Sequence, residues 1–188
     1  MKYNFGDHNY FASNQSGTNS FQHVLDVAGI HNGSALKILE LGTCKGSSAC
    51  WMSDNIMDHP DSTMTCVDHF KAFNLDLTRR NIDLSKNGHK VTILRQLIEQ
   101  FIFDTTERYD LIYIDANHRI WPVMTYCFFA LKHLTDQGVV IIDDYSSEFP
   151  EVQQGVDWFT KEMAQSIEIC DLDLDEPNIF AFKRAQTS

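Results

Sequence analysis

Carboxylates gather at the ends of two apolar segments of the chain. The first segment ends in Asp115, closely followed by His118, and the second ends in Asp143 and Asp144. Apolar segments of this length are typical of strands in a sheet that is buried on both faces. If the two strands are neighbours in that sheet, about 4.8 Å apart, the three carboxylates lie at the same edge. Carboxylates held that close repel one another, and a bound divalent cation would relieve the repulsion.

Asp115, Asp143 and Asp144 are therefore the predicted metal ligands. Oxygen ligands favour a hard ion, so the sequence predicts magnesium or calcium rather than zinc, and manganese is chemically acceptable too. One Asp-Asp pair after a strand is more often a loop or a helix cap, and the pairing at adjacent strand ends is what favours a metal site. His118 is a candidate catalytic base, because an imidazole titrates near neutral pH, and its alternative is a solvent-facing residue in the first turn of a helix. Asp115 is the second candidate base.

A glycine-containing loop follows the first predicted strand. The segment LELGTCKGSS has Glu40 in the strand, Gly42 at the turn and Gly46 where the next helix begins. Glycines let a ligand approach the backbone, and the helix N-terminus offers free N–H groups. Asp68 ends the second predicted strand, where an acidic side chain can accept the hydroxyls of a ribose. The predicted cofactor-binding residues are Glu40, Gly42, Thr43, Gly46, Asp68 and His69, for either a nicotinamide cofactor or S-adenosylmethionine.

Strand-like and helix-like segments alternate along most of the chain. The predicted strands are 36–41, 63–68, 90–96, 109–115, 138–143 and the two final segments SIEICDLD and NIFAFKR; the predicted helices are near 18–30, 46–57, 74–87, 97–103, 119–134 and 150–165. This order predicts an α/β fold, a Rossmann-like doubly wound sheet of seven strands, mostly parallel, with helices on both faces. A short link between the last two strands predicts a terminal antiparallel pair. Ligands of such sheets bind beyond the carboxyl ends of the strands.

Two motifs resemble those of a known enzyme class. The order acidic–x–Gly–x–x–x–Gly from Glu40 to Gly46 resembles motif I of class I S-adenosylmethionine-dependent methyltransferases, as does the terminal antiparallel strand pair, and the resemblance covers about residues 18–184. YIDANH followed by IIDDY resembles, more narrowly, the metal-dependent O-methyltransferases that modify sugars of macrolide and aminocoumarin antibiotics. By that resemblance Asp115, Asp143 and Asp144 bind magnesium and His118 acts as general base.

The resemblance implies an enzyme that transfers a methyl group from S-adenosylmethionine to a hydroxyl of a small molecule, either a sugar or a phenol, with a divalent cation. Ala116 and Asn117 stand where the antibiotic enzymes commonly have Gly-Ser before the His. Two alternatives stay open. One is a metal-independent N- or carboxyl-methyltransferase whose acidic cluster holds a substrate amine, and the other is a non-catalytic nucleotide-binding domain of the same fold. A nicotinamide oxidoreductase is a more distant third.

The bulk composition limits the class of partner. The chain has 188 residues, with 15 basic and 26 acidic ones and a net charge of −11. This balance argues against nucleic acid and against anionic membranes, both of which select basic surfaces. No apolar run approaches the roughly 20 residues that cross a bilayer. The expected partner is a small-molecule substrate, and the sequence is compatible with a homo-oligomer.

The length suits a single domain. We expect residues 1–16 to form an N-terminal arm or lid and residues 17–188 to form one methyltransferase domain. The first residues lack the apolar core of a signal peptide. The five cysteines are widely spaced without a metal-binding pattern, which favours reduced thiols. Both observations predict a cytoplasmic protein.

Overall fold

A computed structural model describes residues 2–6, 15–172 and 178–186, and the side chains of 15–20 are outside that description. The helices are α1 (Gln15–Ala28), α2 (Ser47–Asn55), α3 (Leu75–Asp83), α4 (Ile98–Asp104), α5 (Ile120–His133) and α6 (Pro150–Glu162). The strands are β1 (Lys37–Leu41), β2 (Thr63–Asp68), β3 (Val91–Arg95), β4 (Tyr109–Ile114), β5 (Leu134–Ile142), β6 (Ile167–Ile169) and β7 (Phe180–Arg184). A single 3₁₀ turn, Gly88–Lys90, precedes β3.

The seven strands form one sheet in the order β3-β2-β1-β4-β5-β7-β6. Strands β1 to β5 are parallel to one another, whereas β7 runs antiparallel to both β5 and β6. The predicted α/β fold with a terminal antiparallel pair is confirmed. The predicted neighbours β4 and β5 are also adjacent, with Ile114 opposite Ile142 at their carboxyl ends.

Alternate residues of the central strands pack on opposite faces of the sheet. On β4, Leu111 and Tyr113 contact the core beneath α1, α2 and α3, whereas Ile112 and Ile114 contact the core beneath α4, α5 and α6. All four side chains are buried. The strands read as continuous apolar runs because helices cover both faces, as the sequence predicted.

Several element boundaries differ from the sequence prediction, among them the starts of β5 and α1. β5 begins at Leu134 rather than near 138, because Leu134 is fully buried and pairs with Tyr109 before a register shift. α1 begins at Gln15, so the last two residues of the predicted arm belong to a helix. Of the arm, residues 2–6 are described, and residues 7–14 lie outside the description.

All five cysteines are free thiols, in agreement with their spacing. Within the described ranges, no helix combines the length and the apolar character that crossing a membrane requires.

Candidate active site

The carboxyl ends of β1, β4 and β5 meet at one edge of the sheet. The backbone N–H of Asp115 donates to the carbonyl of Leu41 at 3.0 Å, and that of Asp143 donates to the carbonyl of Ile114 at 2.9 Å. The first residue after each strand thus extends the hydrogen-bond ladder by one step. This geometry puts the predicted acidic residues side by side at the edge where parallel sheets bind ligands.

Asp115, His118 and Asp144 form a compact cluster. Each offers one ligand atom, and these atoms all lie within 4.8 Å of one another. Nε2 of His118 is 3.0 Å from Oδ2 of Asp144, and the two side chains are 41% and 25% exposed. Two atoms bound to one ion at 2.0–2.6 Å are at most about 4–5 Å apart, so this donor set fits a divalent cation.

Asp143 has different partners from Asp144. Its Oδ2 accepts a hydrogen bond of 2.5 Å from the hydroxyl of Tyr113, and its Oδ1 accepts the backbone N–H of Asp144 at 3.0 Å. The backbone of Asp144 is left-handed, with φ 59°, an uncommon conformation that Asp tolerates better than most residues. An ionised carboxylate has about four acceptor sites, so Asp143 keeps room for a metal bond, and its role as a ligand stays a prediction.

The cluster concentrates negative charge in a poorly solvated place. Burial raises the pKa of Asp115 well above its ordinary value, and the charges of Asp143 and Asp144 raise it further. Burial also raises the pKa of Asp144 to about 6, with a further increase from Asp143 and an opposing effect from His118. For Asp143, burial raises the pKa and the hydrogen bond from Tyr113 opposes the rise. A bound cation would relieve this strain.

The glycine loop after β1 touches the acidic cluster through its backbone. Gly42 has φ +91°, and a Cβ atom there would lie 1.8 Å from the carbonyl oxygen of Asp115. Only glycine permits both the left-handed turn and this approach. The second loop glycine, Gly46, is also left-handed, and a Cβ there would lie 3.3 Å from side-chain atoms of Thr78 and Ile82 on α3. The loop is therefore wedged between β4 and α3.

Asp68 holds the backbone of the glycine loop. Its Oδ2 accepts the N–H groups of Thr43 and Cys44 at 3.1 and 2.9 Å, and its Oδ1 accepts that of Phe70 at 2.7 Å. The ribose-binding role expected of Asp68 stays a prediction, and Oδ1, which accepts one N–H, retains capacity for a further donor. The neighbouring His69 is 45% exposed, and its Nδ1 accepts the N–H of Lys71.

Glu40 lies beneath the loop and is fully buried. The hydroxyl of Ser48 donates to its Oε1. Within the described residues its Oε2 and the buried hydroxyl of Thr43 make no hydrogen bond of good geometry, although Thr43 and Cys66 lie close enough to stabilise the carboxylate. Burial raises the pKa of Glu40 to about 7, against the lowering effect of the Ser48 hydrogen bond. Glu40 therefore lies in β1, as predicted, and burial disfavours the negative charge of its carboxyl group.

A family model described as a methyltransferase domain matches residues 39–145, from β1 to the turn after β5. The chain belongs to this methyltransferase family. The matched range contains the glycine loop, Asp68 and the acidic cluster, so the family assignment covers the whole candidate site. The class I methyltransferase that the sequence motifs indicated is confirmed at this level.

Solved structures of other methyltransferases share the fold. An O-methyltransferase from Bacillus cereus in complex with S-adenosylhomocysteine is 22% identical, with a TM-score of 0.71 over 93% of this chain and 84% of that one. TomG from Streptomyces achromogenes, an O-methyltransferase of tomaymycin synthesis in complex with S-adenosylmethionine, is 19% identical, with a TM-score of 0.68 over 90% and 80%. A methyltransferase from Podospora anserina bound to S-adenosylhomocysteine is 15% identical, with a TM-score of 0.70 over 97% and 83%. No curated protein sequence matches the chain.

A surface cavity of about 260 Å³ opens beside the acidic cluster of this methyltransferase domain. Its lining residues are Asn117, His118, Arg119, Glu148, Phe149, Pro150 and Glu151. The ring of Phe149 packs edge-on against His118 with 4.7 Å between centroids, and Arg119 pairs with Glu151 at 2.6 Å across the mouth. The cavity thus joins one apolar ring to several hydrogen-bonding groups.

Sequence reasoning missed the side chains of α3 that support the methyltransferase glycine loop. The hydroxyl of Thr78 donates to the carbonyl of Cys44 at 2.7 Å, and the amide of Asn81 donates to the carbonyl of Lys45 at 3.0 Å. Both residues are buried. Their spacing of three places them on one helical face together with Ile82. In the sequence, the signal for these two residues was two polar side chains next to Ile82 on the buried face of α3.

Proposed function

We propose that the chain is an S-adenosylmethionine-dependent O-methyltransferase that uses a divalent cation to methylate a hydroxyl of a small molecule. One observation carries the proposal: Asp115, His118 and Asp144 converge at the strand edge, within backbone contact of the glycine loop. That arrangement brings a metal-type donor set next to a cofactor-type loop. Two proteins of similar fold, the O-methyltransferase from Bacillus cereus and TomG, are O-methyltransferases in complex with S-adenosyl ligands, which supports the same choice.

The cofactor would lie over the glycine loop. Gly42 and Gly46 let the loop pack closely against Asp115 and α3, and Asp68 sets the shape of the loop by accepting two of its N–H groups. Glu40 and Thr43 supply buried polar atoms beneath the loop. Bound S-adenosylmethionine supplies an electrophilic methyl group, so the protein mainly has to align the acceptor oxygen with it.

Asp115 and Asp144 would hold the cation, with Asp143 as a further candidate ligand, and His118 would stay unbound beside them as the candidate base. Carboxylate oxygens suit magnesium or manganese. When bound, such an ion lowers the pKa of a coordinated hydroxyl and orients it. The chain's own contribution is to hold the carboxylates in place, which the backbone bonds of Asp115 and Asp143 accomplish.

The acceptor would enter through the cavity beside His118. Its volume of about 260 Å³ suits a molecule of about one ring. Phe149 offers an apolar face, and Asn117 and Arg119 offer hydrogen-bond donors. His118 lines both the cavity and the acidic cluster, so its imidazole is placed to take the proton of the acceptor hydroxyl, with Asp115 as the alternative base.

The test combines turnover with metal binding. Purified protein is incubated with S-adenosylmethionine and a panel of catechols and sugars, and S-adenosylhomocysteine is quantified by mass spectrometry. We expect acceptor-dependent product that disappears in excess EDTA and returns with magnesium or manganese. Full turnover in EDTA would overturn the metal dependence, and failure to bind S-adenosylmethionine in calorimetry would overturn the cofactor assignment.

A matched pair of variants links the metal to the site. Asp144→Asn removes a ligand charge from the cluster and should abolish Mn²⁺ binding in calorimetry. Asp136→Asn makes the same change at a carboxylate that is 83% exposed and pairs with Arg108. It should leave Mn²⁺ binding unchanged, so an equal loss in both variants would contradict the assigned site.

A further inference from the structure

We propose that residues 2–6, here called the N-terminal strap, are part of the cofactor site, because they hold the glycine loop in its binding conformation. The proposal rests on the S-adenosylmethionine-dependent function and extends it to a segment beyond the matched family range of 39–145. Asn81 is the positioning residue that joins the strap to the loop.

The strap is anchored at both ends on the domain. Phe5 is buried in the core beneath α1, α2 and α3, with 4% of its surface exposed, and stacks on Tyr3 with 5.3 Å between ring centroids. The hydroxyl of Tyr3 donates to Asp54 of α2 at 2.5 Å, and Lys2 pairs with the same carboxylate at 3.2 Å. A short segment with a buried ring and side-chain bonds is a built part of the fold.

The side chain of Asn81 bonds to the strap and the loop at once. Its Oδ1 accepts the backbone N–H of Asn4 at 2.9 Å. Its Nδ2 donates to the carbonyl of Asn4 at 3.0 Å and to the carbonyl of Lys45 at 3.0 Å. With 2% exposure, Asn81 has little water to replace a lost partner.

Lys45 makes a second link between the same two segments. Its ammonium donates to the carbonyl of Phe5 at 3.0 Å, so the middle of the glycine loop reaches back to the strap. Lys45 and Asn81 therefore form two separate bridges between the strap and the loop. The four hydrogen bonds involved all use backbone groups, which fixes the path of the chain rather than one rotamer.

The loop needs such support because its backbone is unusual. Gly42 and Gly46 are left-handed, and so is Cys44, with φ 50°. A non-glycine residue in this region costs on the order of 1 kcal/mol or more, and it persists only when its surroundings determine it. Asp68 and Thr78 hold Cys44, while the strap and Asn81 hold Lys45 beside it. Loosening either side should let the loop relax away from the shape that receives the cofactor.

The test measures binding of S-adenosylhomocysteine by calorimetry in the full chain and in two variants. Asn81→Ala removes the bridge, and Phe5→Ala removes the strap's buried anchor without touching the loop. We expect both variants to bind S-adenosylhomocysteine at least about tenfold more weakly than the wild type. The effect should appear as weaker cofactor binding, with Mn²⁺ binding unchanged.

Matched controls separate this effect from general loss of stability. Asn87 is also a buried asparagine whose amide donates to a backbone carbonyl, that of Ser53, but it lies away from the loop. Phe129 is a buried ring on the opposite face of the sheet. Asn87→Ala and Phe129→Ala should lower the melting temperature and keep the wild-type dissociation constant.

A measurement on the wild type covers the case in which a variant fails to fold. Coupling is reciprocal, so S-adenosylhomocysteine must stabilise the strap if the strap stabilises its binding. Hydrogen exchange at the backbone N–H of Asn4 should slow by about tenfold or more at saturating S-adenosylhomocysteine. Exchange at the backbone N–H of Asn87 should change little.

The outcomes distinguish the two hypotheses. If the wild type does not bind S-adenosylhomocysteine, the proposed function fails, and the strap's role fails with it. If the wild type binds and Phe5→Ala binds equally well, α3 alone holds the loop and the strap inference is overturned. Unchanged exchange at Asn4 on binding overturns it as well.

Discussion

The hydroxyl of Tyr113 donates a hydrogen bond of 2.5 Å to Oδ2 of Asp143. Tyr113 is fully buried in β4, and Phe21 of α1 packs edge-on against its ring with 5.3 Å between centroids. The orientation of the Asp143 carboxylate therefore depends on a ring that α1 holds in place. A carboxylate that is fixed this way, next to the proposed metal site, has little freedom to turn.

Tyr113→Phe should weaken metal binding while the fold persists. Loss of an outer hydrogen bond to a group of a metal site typically lowers affinity by about 10- to 100-fold. Calorimetric titration with Mn²⁺ measures the change. Tyr126→Phe is the matched control, since its buried hydroxyl donates to Glu99 at 2.6 Å, far from the cluster. Equal Mn²⁺ affinities in wild type and Tyr113→Phe would show that this hydrogen bond does not organise the site.

Gly42→Ala should both destabilise the protein and remove cofactor binding. The new Cβ would lie 1.8 Å from the carbonyl oxygen of Asp115, so the loop or β4 must move. Gly33→Ala isolates backbone strain, because Gly33 has φ +100° and open space around its Cβ position. We expect Gly33→Ala to lower the free energy of unfolding by about 1–2 kcal/mol, and Gly42→Ala to lower it by about 2 kcal/mol more. Urea unfolding gives both numbers, and similar costs for the two variants would contradict the close approach.

Glu40→Gln should change how stability depends on pH. The folded-state pKa of about 7 exceeds the ordinary value of 4.5, so between these values the native state binds more protons than the unfolded chain. The contribution of Glu40 to stability is therefore fully present below pH 4.5 and lost as pH rises to about 7, by at most about 1.4 kcal/mol per pH unit. In urea unfolding at pH 5, 6, 7 and 8, the free energy of unfolding of the variant should rise relative to that of the wild type up to pH 7. A constant difference across this series would show that Glu40 carries no raised pKa.

His118→Gln should lower turnover without weakening the cofactor complex. Loss of a general base typically slows a reaction by about 10²- to 10⁴-fold. S-adenosylhomocysteine formation and calorimetric binding of the same product measure the two effects separately. His31→Gln, at an exposed position before β1, serves as the control. Turnover within about twofold of the wild type would assign the proton to Asp115 instead.

The sheet could be predicted because the amino-acid composition of its strands reflects whether they are buried. Continuous apolar runs such as that of β4 occur where helices cover both faces, and polar residues directly after them mark the strand ends. The positions of Asp115, Asp143 and Asp144 at one edge follow from that pattern and from the adjacency of β4 and β5.

The partners of those residues could not be predicted in the same way. Tyr113 reads in the sequence as one more apolar strand residue, and only the packing of the sheet shows which carboxylate its hydroxyl meets. Asn81 lies in a helix without any motif, and its bonds to Asn4 and Lys45 join three distant segments. Such contacts depend on tertiary geometry that local periodicity does not contain.

During folding, the candidate site can form only after β1 has paired with β4. Ile38 is the register partner of Leu111, so the contact that puts Gly42 against Asp115 closes across the β2 and β3 units between them. Contacts between residues this distant in sequence are slow to form, because chain entropy opposes them. The segments that contain β2 and β3 can collapse locally before Gly42 has reached Asp115. Cofactor binding should therefore require this long-range pairing, and a ligand that binds there would stabilise the folded sheet.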